Sequence, residues 1–226
     1  MALTYGTVWA DFGSEKTESE TAEHALGTKM ILPDGRTYYY AQCASGAAIT
    51  TAGMIADGQA LEGNHDMEVP TTDLTKDEYK DGYLVFNDEA GEGEVYRIVS
   101  HPAHDASADN TVIFTIEDSG IRTALTTSTE AQLVYNPYTG IKLIDGDGTQ
   151  TTGPLGVTTI PVTASYYCWI QTSGISSVAV SGTTALTLGD AIEVSQVSGQ
   201  SGMATLGDSS GATDLMRIGT AIGVAS

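Results

Sequence analysis

The stretch that decides the fold spans residues 26–41 and contains Thr28-Lys29-Met30-Ile31-Leu32, Pro33-Asp34-Gly35 and Thr37-Tyr38-Tyr39-Tyr40-Ala41. Two runs of apolar, β-branched and aromatic residues flank the Asp-Gly pair. Asp-Gly supplies the positive φ that a tight turn between antiparallel strands requires. The sequence therefore predicts a β-hairpin whose turn lies at Pro33-Asp34-Gly35.

Short apolar runs separated by glycine-containing turns continue along the whole chain, which has 26 glycines. This spacing is typical of all-β proteins. Helix is predicted only as one or two turns after Thr75, where Thr75 and Glu78 fit a capping box. We therefore expect an all-β protein with two small β-sandwich or β-barrel domains and very little helix. Further strands are predicted at residues 83–86, 94–100, 111–117, 132–135, 141–144, 158–162, 166–172, 176–180, 191–197 and 215–222.

The charge density falls abruptly near the middle of the chain. Residues 146–226 hold six charged side chains, and residues 1–145 hold the other 32. The glycine-rich segment 146–154 coincides with this change and is predicted to be a linker between an acidic β domain, 26–145, and a charge-poor β domain, 155–226. Residues 1–25 are predicted to form an N-terminal arm, because the stretch SEKTESETAEH has no apolar face. A domain with so little charge is expected to hide much of its surface against other subunits.

The formal net charge of −20, from 29 acidic and 9 basic side chains, excludes some partners. Such a chain repels nucleic acid and anionic membrane surfaces. Its apolar runs are shorter than the roughly 18 residues that a membrane-spanning helix needs. The first residues show neither the basic start nor the apolar core of a signal peptide, so we expect no Sec-type export. Cys43 and Cys168 are expected to be free and buried.

The sequence predicts no enzyme, no cofactor and no metal site. It contains no G-x-S-x-G elbow and no phosphate-binding loop. Residues 101–105 (HPAHD) and the pair His65-Asp66 are expected to lie in solvated loops. Asp145-x-Asp147-Gly148 resembles the opening of a calcium loop, but Gly156 stands where the completing glutamate belongs. Whether Asp145 and Asp147 bind calcium stays open at this point.

The run Tyr166-Tyr167-Cys168-Trp169-Ile170-Gln171 is apolar or aromatic on both faces of the predicted strand. A strand of this kind is covered on both sides. It is either a central core strand or a strand that packs one face on a neighbouring subunit, since Tyr and Trp are frequent interface anchors.

Three stretches of the chain carry a resemblance to a known family. The first is Leu26-Gly27-Thr28 followed by Asp34-Gly35-Arg36-Thr37-Tyr38-Tyr39-Tyr40. The second is Tyr167-Cys168-Trp169-Ile170-Gln171-Thr172-Ser173-Gly174, and the third is Arg217-Ile218-Gly219-Thr220-Ala221-Ile222. Together they resemble structural proteins of tailed-bacteriophage heads, and specifically capsid decoration (cement) proteins. An N-terminal strand-exchange arm is not matched.

The resemblance implies a β-rich, non-enzymatic subunit on the capsid exterior, made in the host bacterial cytoplasm. Its partners would be the major capsid protein, whose neighbouring capsomers it clamps, and itself as a homotrimer. A tail- or fibre-associated module that binds host glycans and a cellular carbohydrate-binding module are the alternatives. The basic residues near the N-terminus are expected to face an acidic shell in a salt-sensitive contact. The candidate interface residues combine two of these cations with aromatic side chains of the hairpin and the later strand: Lys29, Arg36, Tyr38, Tyr40, Tyr167 and Trp169.

Overall fold

The structure, a computed structural model, describes residues 6–51, 54–57, 73–108, 112–126, 128–144, 153–181, 185–195, 197–207 and 217–223. Within these ranges the protein is nearly all β, as predicted, and its one helical element is the 3₁₀ turn Ser14–Lys16. The strands are β1 (Thr7–Trp9), β2 (Glu18–Ser19), β3 (Lys29–Ile31), β4 (Thr37–Gln42), β5 (Ile55–Asp57), β6 (Tyr83–Asp88), β7 (Val95–Ser100), β8 (Thr115–Ile116), β9 (Glu130–Val134), β10 (Lys142–Leu143), β11 (Pro154–Thr158), β12 (Tyr167–Ser173), β13 (Ala191–Val194), β14 (Ala204–Leu206) and β15 (Arg217–Thr220).

The chain divides into two compact units, and the division differs from the predicted boundary at 146–154. Unit 1 combines Met1–Ala60 with Tyr138–Ser226, and unit 2 is the insertion Leu61–Pro137. The physical reason is strand pairing between distant segments: β12 lies antiparallel to β4, with Trp169 opposite Tyr40. Most of the predicted linker lies outside the described residues, and Pro154 already begins β11.

The main sheet of unit 1 has the order β1-β3-β4-β12-β11-β5-β10, and β2 pairs with β12. The predicted hairpin is confirmed, because β3 and β4 are antiparallel and Gly35 adopts a φ of 84° in the turn between them. The described part of the segment predicted as an arm joins this sheet instead. β1 runs parallel to β3, and β2 pairs with the start of β12 at Ser19 and Tyr167.

Strand β12 is covered on both faces, as its sequence predicts. Trp169 packs in one apolar cluster with residues of the hairpin and is only 4% exposed. Cys168 and Ile170 pack on the opposite face with Ala41 and Cys43. The alternation of side chains along the strand therefore divides them between two cores.

Residues after β12 form a three-stranded sheet with the order β14-β13-β15. Ile192 and Val194 of β13 bury one side of this sheet together with Ile144 and Ala204. Strand β15 lies at an edge, and in the part of the chain that the structure describes it pairs only with β13. Three of its four residues are exposed.

Unit 2 contains a four-stranded sheet with the order β8-β7-β6-β9 over its own apolar cluster. The capping-box contact forms, because the Thr75 N–H donates to the Glu78 carboxylate at 2.8 Å. The predicted helix does not form, and the chain continues in turns. Asp77 has a φ of 60°, outside the right-handed helical region, and this interrupts helical hydrogen bonding.

Both cysteines are free and buried, as expected. Burial raises the pKa of Cys168 from its ordinary value of 9.0 to about 12. Between these two pKa values the folded state keeps the thiol proton while the unfolded state loses it. The free energy of unfolding therefore falls as pH rises from 9 towards 12.

Replacing Cys168 with serine is expected to make unfolding free energies, measured by urea titration at about pH 7 and about pH 10.5, less pH-dependent than in the wild type. An unchanged pH dependence would contradict this expectation.

Candidate interaction surfaces

The aromatic members of the candidate interface set lie mainly in the core of unit 1. Tyr38, Tyr40 and Trp169 are 0, 2 and 4% exposed. Tyr167 is partly buried and stacks on Tyr40, with ring centroids 5.8 Å apart. The structure therefore brings these four residues together inside one chain and does not present Tyr38, Tyr40 or Trp169 to a neighbour.

The two candidate cations do not form a common basic surface. Lys29 lies opposite Tyr39 in the sheet, whereas Arg36 reaches the Tyr38 hydroxyl at 2.9 Å, on the other face. Arg36 also donates to the Asp34 carboxylate at 2.7 Å and lies 3.8 Å from that of Glu15. The hydrogen bond from Arg36 holds the pKa of Asp34 below its ordinary value. The charge of Arg36 is therefore compensated within the chain.

Glu15 is the charged group that the sequence analysis missed. It is 2% exposed, accepts the Gly13 N–H at 2.7 Å, and adjoins Arg36. A buried carboxylate is tolerated when it has such partners. On the same face, the Tyr38 hydroxyl donates to Gln171 at 3.2 Å, and the Gln171 amide donates to the Ile175 carbonyl at 2.9 Å. This network connects the hairpin to the loop after β12.

The first exposed surface is the N-terminal edge, residues 7–12. Val8 and Ala10 pack against the hairpin cluster, so the alternation of the strand directs Trp9 outwards, where it is 76% exposed. Phe12 is 61% exposed, and the Arg36 guanidinium lies 5.8 Å from its ring centroid. Trp and Arg are the residue types most enriched at binding hot spots. The sequence analysis missed Trp9 and Phe12, although the alternation Val8-Trp9-Ala10 is a signal for a strand.

The second surface is a cavity of about 500 Å³ in unit 1, here called the charge-free groove. It lies between the end of β12 and the edge strand β15. None of the described residues that line it is charged. Its apolar walls include two side chains that are 72 and 66% exposed, Ile175 and Ile222, and four that pack with the core beneath β13, Val157, Val178, Ile192 and Ile218.

Exposed apolar side chains are frequent in the same part of the chain. Of the thirteen large hydrophobic side chains that are exposed among the described residues, six lie in residues 155–226. These are Ile175, Val180, Leu188, Val197, Leu206 and Ile222. Leu188 lies beside the groove, because the adjacent Gly189 N–H donates to the Ala221 carbonyl at 2.9 Å.

The histidines predicted to lie in a solvated loop are buried instead. His101 is 2% and His104 is 4% exposed. The Tyr79 N–H donates to His101 Nε2 at 3.0 Å, and His101 Nδ1 lies 2.8 Å from the Pro102 carbonyl. Both ring nitrogens of His101 therefore have hydrogen-bond partners, which explains how this side chain can be buried.

The described ranges contain no cluster of three or more His, Cys, Asp or Glu side chains that could hold a metal ion. The pair His65-Asp66 and the possible calcium ligands Asp145 and Asp147 lie outside those ranges. No helix in the described parts of the chain is long and apolar enough to cross a membrane.

Comparison with known proteins finds no matching family model, no matching curated protein and no matching solved structure.

Proposed function

We propose that this protein is a non-enzymatic structural component of a tailed-phage virion, which binds the outer surface of the head and clamps adjoining capsomers. Its proposed partners are the major capsid protein and further copies of itself, as a homotrimer, with no role for nucleic acid or membrane. One observation carries the proposal: the N-terminal edge exposes Trp9 and Phe12, at 76 and 61%. The resemblance of the hairpin, of β12 and of β15 to decoration proteins supports it.

The N-terminal edge combines two features of a protein-binding surface. An aromatic side chain buries about 150–250 Å² when a partner covers it, which makes Trp9 and Phe12 effective anchors. In addition, β1 is an edge strand, since among the described residues it pairs only with β3. An edge strand can accept a strand of a partner through backbone hydrogen bonds. Such a surface fits a protein shell better than a soluble small molecule.

The charges around this edge indicate that apolar contact, not cationic attraction, drives the proposed attachment. Residues 7–36 contain three basic and six acidic side chains, a net charge of −3. Arg36 is already paired with Asp34 and Glu15. The sequence led us to expect a salt-sensitive contact with the head. The proposed attachment instead persists at high salt, because screening weakens only ionic contacts.

The test is co-sedimentation of the purified protein with empty expanded heads of the cognate phage. Replacing both Trp9 and Phe12 with alanine is expected to weaken binding at least about 30-fold, which corresponds to the loss of about 2 kcal/mol at a single hot spot. The matched control is Ile113→Ala, because Ile113 is 77% exposed but belongs to unit 2. This control is expected to bind like the wild type.

Three outcomes would contradict the proposal. The first is a wild type that fails to saturate the heads. The second is a double variant that binds as tightly as the control, and the third is binding that disappears at high salt. A fibre-associated or carbohydrate-binding module would instead respond to glycans. In that case added sugar would change the fluorescence of the exposed Trp9, while heads would leave it unchanged.

A further inference from the structure

The charge-free groove joins an apolar wall to the edge strand β15, which pairs only with β13 among the residues that the structure describes. Ile175 and Ile222 stand exposed at its sides, and Ile218 of β15 lines it. Gly219 and Thr220 of the same edge strand also line it and are exposed. An apolar groove beside a strand edge offers both hydrophobic contact and backbone hydrogen bonds to another chain. Leu188 extends the apolar surface beyond the groove.

Charge identifies the occupant. The whole chain carries −20, and residues 1–145 account for −16 of it, with 24 acidic and 8 basic side chains. Two copies of such a chain repel each other wherever their acidic surfaces meet. The groove lies in the segment 146–226, which carries a net charge of only −4. Contact through this region avoids the like-charge repulsion that other surfaces impose.

The cation at the start of β15 does not line the groove. Arg217, at the start of β15, bends back along its own strand, where it donates to the Gly219 carbonyl at 3.4 Å and to the Thr220 hydroxyl at 3.1 Å. Both acceptors are neutral, so these bonds hold the charged guanidinium on its own strand, beside the groove and outside its lining. An aliphatic surface is the complement that the groove fits, and this chain itself exposes aliphatic side chains at Leu188 and Ile222.

We infer that the charge-free groove is the self-association surface of the protein, and that its occupant is the charge-poor surface of a second copy of the same chain. This inference deepens the self-association part of the proposed function and does not depend on head binding. The contact is apolar, so salt does not weaken it directly. Raising the salt concentration screens the repulsion between the acidic residues 1–145 of the two copies and therefore strengthens the association. The groove thus lets a strongly acidic protein assemble with itself.

The experiment is sedimentation velocity of the full chain over a micromolar concentration range, without heads. The variants Ile175→Asp and Ile222→Asp place a carboxylate at the sides of the groove. The matched control Ile113→Asp makes the same chemical change at a side chain of similar exposure, 77% against 72 and 66%, in unit 2. Near-ultraviolet circular dichroism is expected to show the same fold in all of them, since each substituted side chain is exposed.

The expected result is an oligomeric wild type and control, and groove variants that dissociate at concentrations at least about 30-fold higher, the effect of one hot-spot residue. The wild type is also expected to associate more tightly at high salt. A monomeric wild type, groove variants that associate like the control, or association that weakens with salt would overturn the inference. None of these results bears on Trp9 and Phe12, so a failure here is distinguishable from a failure of head attachment.

Discussion

Replacing Trp169 with alanine is expected to lower the free energy of unfolding of unit 1 by about 3–5 kcal/mol, as for other buried aromatic residues. The indole lies 4% exposed in the centre of β12, 4.9 Å from the ring of Tyr40 and 5.1 Å from that of His24. Its removal leaves a cavity beside the rings of Tyr40 and His24. Urea unfolding, followed by far-ultraviolet circular dichroism, measures the loss.

The chain contains a matched control for this substitution. Trp9→Ala removes the same atoms from a side chain that is 76% exposed and is expected to change stability by no more than about 0.5 kcal/mol. A loss below about 1 kcal/mol for Trp169→Ala would mean that the side chain is not part of the core.

Replacing Arg36 with methionine is expected to destabilise unit 1 by about 3 kcal/mol, the lower end of the range for a broken buried ion pair. The Glu15 carboxylate, whose side chain is 3% exposed, would lose its cation while remaining inside the protein. The Tyr38 hydroxyl would lose the Arg36 guanidinium as well. Arg36 itself is 23% exposed, which is why the lower end of the range applies.

Two further variants separate the buried pair from the exposed one. Asp34→Asn removes the exposed partner of Arg36 and is expected to cost less stability than Arg36→Met, because solvent screens an exposed ion pair. Adding Glu15→Gln to Arg36→Met removes the stranded charge and is expected to restore most of the lost stability. If Arg36→Met and Asp34→Asn cost the same in urea unfolding, the contact with Glu15 contributes little.

The sequence predicts those parts of the fold that local signals determine. The Asp-Gly turn fixes the hairpin of β3 and β4, and residues that are apolar on both faces identify β12 as a covered strand. Pairing between β4 and β12 could not be predicted, because more than a hundred residues separate them and their register depends on burial of both faces. The domain boundary was misplaced for the same reason, since charge density does not report which strands share a sheet.

The candidate surfaces were harder to predict than the fold. Enrichment in tyrosine and tryptophan is common to cores and interfaces, and in this chain it marks the core around Trp169. The exposure of Trp9 depends on β1 lying parallel to β3, which follows from no local pattern. The groove is built from residues of β11, β12, β13 and β15 and their loops, so it exists only in the folded chain.

The insertion of unit 2 into unit 1 orders events during synthesis. A ribosome releases β3 and β4 long before β12, and the strand that covers the other edge of β4 is complete only when Ser173 has emerged. All four sheet strands of unit 2 lie within Leu61–Pro137 and emerge earlier. Unit 2 can therefore fold before β12 is available to pair with the exposed edge of β4. An unpaired strand edge of this kind favours chaperone binding or aggregation. A nascent chain that terminates before β12 cannot complete the main sheet.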